Sequence, residues 1–299
     1  MKKHSSLLLA LTAIVIWSFQ GYLTMDLSQQ SPFLYGGIAL SIGGLISIKH
    51  VSQWRVPLKT LLVGVGGIFF YHLLFFMAFK AAPTVETNLL NYLWPSLLVL
   101  LSPLVVPGSK LKAYHLIGAI TGFVGAALIV TGGHLSLNLD NLDGYVMISC
   151  AALIWAMYSL ILKRLPPFPS SAMGGFCLIS GILMLSLYLI TENGHWTLST
   201  LKGADWFNTI LLGAGPLGLS FIAWSASLKK GDPRVIGSIA YLLPLTSTIV
   251  LILLGGKQVS YVTVIAMLLI IMGAVIGSLD LLRPLEENRE NNYLHFSDR

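Results

Sequence analysis

Charge is what this chain has least of. Asp, Glu, Lys and Arg together make up 10% of its 299 residues, against about 25% in an ordinary soluble domain. So little charge excludes a water-facing globule of this size. Cysteine is nearly as scarce. Cys150 and Cys177 are the only two, both inside apolar stretches, which excludes a disulfide framework and a Cys-based zinc site and leaves them as packing residues. The apolar stretches also lack paired carboxylates, a metal-ligating cluster or a nucleophile beside its base. No catalytic residue, metal or cofactor is therefore expected, and an enzyme is disfavoured.

What is present is apolar: 55% of the residues, with a mean hydropathy of +0.79. A bilayer core about 30 Å thick takes about 20 helical residues. Stretches of that length lie at 6–25, 32–49, 58–79, 85–106, 113–132, 144–163, 172–191, 206–228, 234–254 and 260–282. They read as ten transmembrane helices, an all-α integral membrane protein with no room for a soluble domain. Lys2 and Lys3 ahead of an apolar run resemble a signal peptide. Trp17 belongs to an internal repeat, however, and no small-x-small cleavage site follows, so the first span is expected to be retained. With the N-terminus in the cytoplasm, fifteen of the eighteen basic residues lie inside, and only Lys80, Lys202 and Lys257 outside. An even number of crossings then puts the C-terminus in the cytoplasm too. The net charge of +6 is read as this orientation signal, and no nucleic-acid partner is expected.

The repeat is visible without gaps. Residues 60–95 lie on 209–244, pairing Thr60 with Thr209, Leu62 with Leu211, Gly64 and Gly66 with Gly213 and Gly215, and Lys80 with Lys229. Tyr92, Leu93 and Pro95 meet Tyr241, Leu242 and Pro244 in the same register. A second register sets residues 13–17 on 151–155, so that Trp17 meets Trp155. Ten crossings shared between two repeats leave five each, and an odd number inverts the second half relative to the first. The expected organisation is two inverted-topology five-helix repeats, 1–137 and 138–285, around a central cavity, followed by a polar tail, 286–299, with no assigned role. Internal repetition in so apolar a chain is a mark of secondary transporters, whose substrate site lies between the repeats.

Several side chains sit where lipid would not tolerate them. Tryptophan gathers at membrane interfaces, yet Trp17, Trp94 and Trp155 fall near mid-span, Trp17 about 16 Å deep at 1.5 Å per residue. An indole N–H there needs a polar partner, which a cavity supplies and lipid does not; the bland alternative is that the rings fill the bundle core. Pro95 leaves the Asn91 carbonyl without its helical donor, and Pro244 repeats the device, so both are candidate hinges. Asn91 shares a helix face with Pro95. Tyr92 and Trp94 lie about 200° apart, so both cannot point into one site, and Tyr241 flanks the second kink. In the third span Tyr71 and Phe75 are one turn apart with His72 beside them. His72 and Glu86 are rare ionisable groups at membrane depth and hence candidates for coupling. Each also has a bland reading: His72 as a neutral ring bonded to a carbonyl, Glu86 as a helix N-terminal residue favoured by the dipole. The Gly118-x-x-x-Gly122 and Gly273-x-x-x-Gly277 motifs suit close packing within one chain or a homodimer; a monomer is expected.

Trp17-Ser18, Asn91-Tyr92-Leu93-Trp94-Pro95-Ser96, Trp224 and Tyr241-Leu242-Leu243-Pro244, in this order, resemble the EamA branch of the drug/metabolite transporter superfamily. Within it the chain is most similar to the YddG-type exporters of aromatic amino acids, including a Glu five residues before the Asn of NYLWP. The resemblance implies a multi-pass protein of the bacterial inner membrane. It also implies a cavity lined by the first, third, fourth, sixth, eighth and ninth helices, with Tyr71, Phe75, Tyr92, Trp94 and Trp155 among its aromatics. Phe75 departs from a Tyr at the corresponding place.

The expected function is export of aromatic or other neutral amino acids by alternating access, with import or efflux of another metabolite, nucleoside or drug as the alternative. The candidate substrate-binding residues are Trp17, Tyr71, Phe75, Asn91, Tyr92, Trp94, Trp155 and Tyr241.

Overall fold

A computed structural model describes residues 2–24, 31–134, 138–191, 203–256 and 259–279. Among the described residues the chain is helical throughout, without a strand. Hydrocarbon offers no partner to an unpaired N–H or C=O, and the helix is the one spanning structure that satisfies them within a single segment.

The helices are α1 (Lys2–Ser18, continued by Gln20–Thr24), α2 (Pro32–Leu45), α3 (Leu58–Ala81), α4a (Thr84–Asn91), α4b (Leu93–Val105), α5 (Ala113–Thr131), α6 (Leu142–Leu162) and α7 (Met173–Thr191). After them come α8 (Gly203–Ala214, a π-helical turn Gly215–Leu219, and Ser220–Lys230), α9a (Pro233–Ala240), α9b (Leu242–Leu253) and α10 (Tyr261–Gly277). Proline marks their starts: Pro32 opens α2, Pro57 and Pro83 precede α3 and α4a, and Pro233 follows an Asp232 cap whose carboxylate accepts from the Arg234 N–H at 2.9 Å.

Eight helical runs among the described residues are long and apolar enough to cross a bilayer. A ninth is counted if α2 is joined to the Ile48–Trp54 turn, from which it is bent by 84°. Helix α10, with 17 residues, is apolar but shorter. The second expected span thus ends early, at Leu45, because the chain turns out at Ser47: its hydroxyl donates to the Ser171 carbonyl at 2.8 Å and accepts from the Trp54 indole at 3.0 Å. The fourth and ninth runs break at Tyr92 and Tyr241, each three residues ahead of a proline. Pro103, by contrast, lies inside α4b without interrupting it.

The most extensive packing joins α5 to α10, α2 to α7, α3 to α6, and α1 to the last part of α8. Exchanging α1–α5 with α6–α10 turns this set into itself: the first two pairs map onto themselves and the last two onto each other. Helices α5 and α10 meet along their glycines. A Cβ on Gly118 would fall 2.5 Å from the Gly277 Cα, and one on Gly273 2.7 Å from the Gly122 Cα. Both GxxxG faces are therefore occupied within one chain.

Gly273→Leu should lower stability in detergent by about 1–3 kcal/mol, the usual cost of overpacking, read as a fall in the melting temperature. Gly66→Ala is the control. Its Cβ would meet only a Phe70 ring atom at 3.9 Å, so helix propensity should make it neutral or stabilising by up to about 1 kcal/mol.

Candidate substrate-binding site

The mid-span tryptophans converge. The Trp17 ring centroid lies 6.4 Å from Trp94, 5.9 Å from Trp155, 6.1 Å from Phe221 and 5.2 Å from Trp224. Trp94 is 5.5 Å from Trp224, and Trp155 is 5.4 Å from Phe221. Tyr71 extends the wall, 4.9 Å from Trp155 and 5.7 Å from Phe75. All eight pairs are tilted or edge-on, and in the four edge-on ones the positive rim of one ring meets the negative face of another. The cluster draws on α1, α3 and α4b from the first half of the chain and on α6 and α8 from the second.

Two of its indole N–H groups find acceptors, one of them a carbonyl at an irregular turn of α8. Pro216 has no N–H to give the Leu212 carbonyl, and α8 widens to a π-helical turn there. The Pro216 carbonyl then accepts twice, from the Trp17 indole at 3.0 Å and from the Ser220 hydroxyl at 2.5 Å. The Trp224 indole donates to Ser159 Oγ at 3.1 Å. The partner expected of a cavity is thus a backbone carbonyl from the other half.

His72 is buried, with Nδ1 2.7 Å from the Ile68 carbonyl, so this nitrogen carries the proton. Its ring faces Tyr71, Phe76 and Phe221. Asn91 donates to the Tyr71 hydroxyl at 3.4 Å, while its Oδ1 is buried without a hydrogen-bond partner among the described residues. Glu86, third residue of α4a, is 9% exposed, and its Oε2 is likewise unpartnered there.

Two nominated residues lie elsewhere. Tyr92 and Tyr241 pack with Ala126 and Ile270 on the α5 and α10 side, behind the breaks. Tyr241 is fully buried and its hydroxyl is hydrogen-bonded to Ser96, tying α9 to α4b. Trp94 turns the other way, into the tryptophan cluster, as the 200° separation from Tyr92 requires. Phe221 and Trp224 join the cluster unnominated. Their signal in the sequence was an i, i+3 aromatic pair following Pro216 in the eighth span.

The sequence profile of the EamA-like transporter family matches residues 4–131 and again 142–279. The chain belongs to the EamA-like transporter family. It is 32% identical over 288 residues to the aromatic amino acid exporter YddG of Ancylobacter novellus, covering 93% of this chain and 99% of that one. The Escherichia coli K12 exporter of the same name is 24% identical over 277 residues, 87% of this chain and 92% of that one. A solved crystal structure, 33% identical, superposes with a TM-score of 0.87 over 95% of this chain and 99% of the other. Family membership makes the protein a multi-pass membrane transporter, and the tryptophan cluster lies between the two segments that the profile matches separately.

Trp17→Phe and Ser220→Ala should each cost about 0.5–1.5 kcal/mol, the net worth of one hydrogen bond. Together they should cost more than the sum, because the Pro216 carbonyl is then left buried with neither donor. Denaturation of the two single variants and the double variant in detergent measures the coupling.

Proposed function

We propose that this protein is a secondary transporter of the bacterial inner membrane that exports neutral amino acids, aromatic ones among them, by alternating access. The observation that carries this reading is the aromatic cluster: Trp17, Tyr71 and Trp94 of one half meet Trp155, Phe221 and Trp224 of the other. The name of the two relatives, aromatic amino acid exporter, supports the substrate class.

Ten helices cross the bilayer in this reading, as inverted repeats over 1–137 and 138–285, with both termini and the tail 286–299 in the cytoplasm. Support comes from the double profile match, from packing that is unchanged when the halves are exchanged, and from the bias of basic residues. The occupied GxxxG faces favour a monomer.

The halves rock about Pro95 and Pro244. As they part, a substrate ring takes the place of ring–ring contacts on Trp17, Tyr71, Trp94 and Trp155, with Phe75 continuing the wall. The Asn91 Oδ1 and the carbonyls freed by the prolines receive the ammonium. Tyr92 and Tyr241 border the site from behind the kinks, Tyr241 bracing the two broken helices through Ser96. The wall is aromatic and uncharged, which suits a zwitterion. For proton coupling, Glu86 is the stronger candidate because its Oε2 is buried and unpartnered, whereas His72 already spends Nδ1 on a carbonyl.

Proteoliposomes loaded with labelled phenylalanine, tryptophan, methionine or threonine should release at least one faster than empty-protein controls; equal rates for all of them reject the reading. Trp94→Ala should slow release by about tenfold or more, as one ring of a stacking wall is lost, with unchanged membrane abundance. An imposed pH gradient should alter the wild-type rate if transport is coupled to protons. Glu86→Gln should abolish that response, while His72→Gln should retain it.

A further inference from the structure

We propose that the repeat-related lysines, Lys80 and Lys229, are the clasps of two gates at opposite ends of the transport path, each closed by laying its ammonium on a phenylalanine. This rests on the transport reading above. The two lysines coincide in the gapless alignment of residues 60–95 with 209–244. Lys80 Nζ stands 4.9 Å from the ring centre of Phe33, at the start of α2. Lys229 Nζ stands 3.5 Å from that of Phe168, just ahead of the Ser170–Ala172 turn that leads into α7. Aligning Gly36-Gly37 with Gly174-Gly175, at the offset that pairs Trp17 with Trp155, sets Phe33 on Ser171. That is one turn from Phe168, so the two rings correspond by place rather than by residue.

The clasps lie at opposite ends of α6. Its first turn packs on the end of α3, where a Cβ on Gly144 would meet the Ala82 Cβ at 2.5 Å. At its other end Lys163 donates to the Leu228 carbonyl at 3.2 Å and to the Gly231 carbonyl, the last backbone acceptors of α8. Lys229 reciprocates by donating to the Phe168 carbonyl at 2.9 Å and to Ser170 Oγ at 3.2 Å. Burial holds the Lys163 ammonium below the ordinary lysine pKa, and Asp232 acts in the opposite sense.

The partners of Lys229 are all neutral: a ring, a carbonyl and a hydroxyl. A lysine leaves such partners at much smaller electrostatic cost than it leaves a buried carboxylate, which suits a contact broken in every cycle. The shorter ring distance, 3.5 Å against 4.9 Å, marks the Lys229 end as the more tightly closed one, and the orientation proposed above makes it the cytoplasmic gate.

The test uses the full chain with Cys150→Ser, Cys177→Ser and a reporter, Ser227→Cys, buried between Trp224 and Lys229. A membrane-impermeant thiol reagent is added from the Lys229 side of oriented vesicles. Lys229→Met should speed labelling by about 3- to 10-fold, as expected for loss of one desolvated cation–π contact. Phe168→Leu should act in the same direction, and Lys229→Arg should stay near the parent rate. Lys80→Met should leave the rate unchanged or slower, since it releases the other end.

Parent rates in both Lys229→Met and Phe168→Leu overturn the proposal, as does equal acceleration by Lys80→Met. If Lys229→Met fails to reach the membrane, Phe168→Leu decides, because it keeps the lysine's hydrogen bonds. Labelling needs no substrate. Altered labelling without flux of any amino acid rejects the export reading and leaves the clasp standing, whereas normal flux with unaltered labelling rejects the clasp alone.

Discussion

Hydrocarbon gives no hydrogen bonds, so a helix broken inside a membrane must turn its freed backbone groups toward protein. That constraint explains why the irregular points of this chain and its deepest polar contacts coincide. Pro95 and Pro244 follow the breaks at Tyr92 and Tyr241, and Ser96 and Tyr241 bond across them. Pro216 sits at a π-helical turn, and its own carbonyl is filled by Trp17 and Ser220. The aromatic cluster gathers beside these points, and at one of them the Trp17 indole finds its acceptor, the Pro216 carbonyl.

The two halves are not treated alike. In the gapless register Pro216 stands where the first half has Gly67. Gly67 keeps its N–H, and α3 runs unbroken from Leu58 to Ala81, while α8 carries the widened turn. The same register sets His72 against Phe221, so a donor to its own helix faces a ring that packs on Trp155. A duplicated frame has thus been made lopsided around its centre, which a site for an asymmetric molecule requires.

Much of this was legible beforehand. Apolar length located the helices, because crossing lipid requires it. Proline located the breaks in α4 and α9, because a missing donor is a fact of covalent structure. Helical geometry also established that Tyr92 and Trp94 could not share a wall. Which of them faced the centre depended on Ser96, Tyr241, Ala126 and Ile270, partners that are distant in sequence and carry no local pattern. The early end of α2 was hidden for a similar reason: hydropathy continues past Leu45, and the bend answers to Ser171 and Trp54. Pro216 was readable in principle, but unlike Pro95 and Pro244 it has no counterpart in the other repeat.

The glycine seam between α5 and α10 is symmetric. Gly118 opposes Gly277 and Gly122 opposes Gly273, so swapping the two motifs leaves the seam unchanged. A contact with that property is isologous. Each helix therefore presents to the other the same small-residue face, running in the opposite sense, and neither needs a surface of its own design to meet its partner.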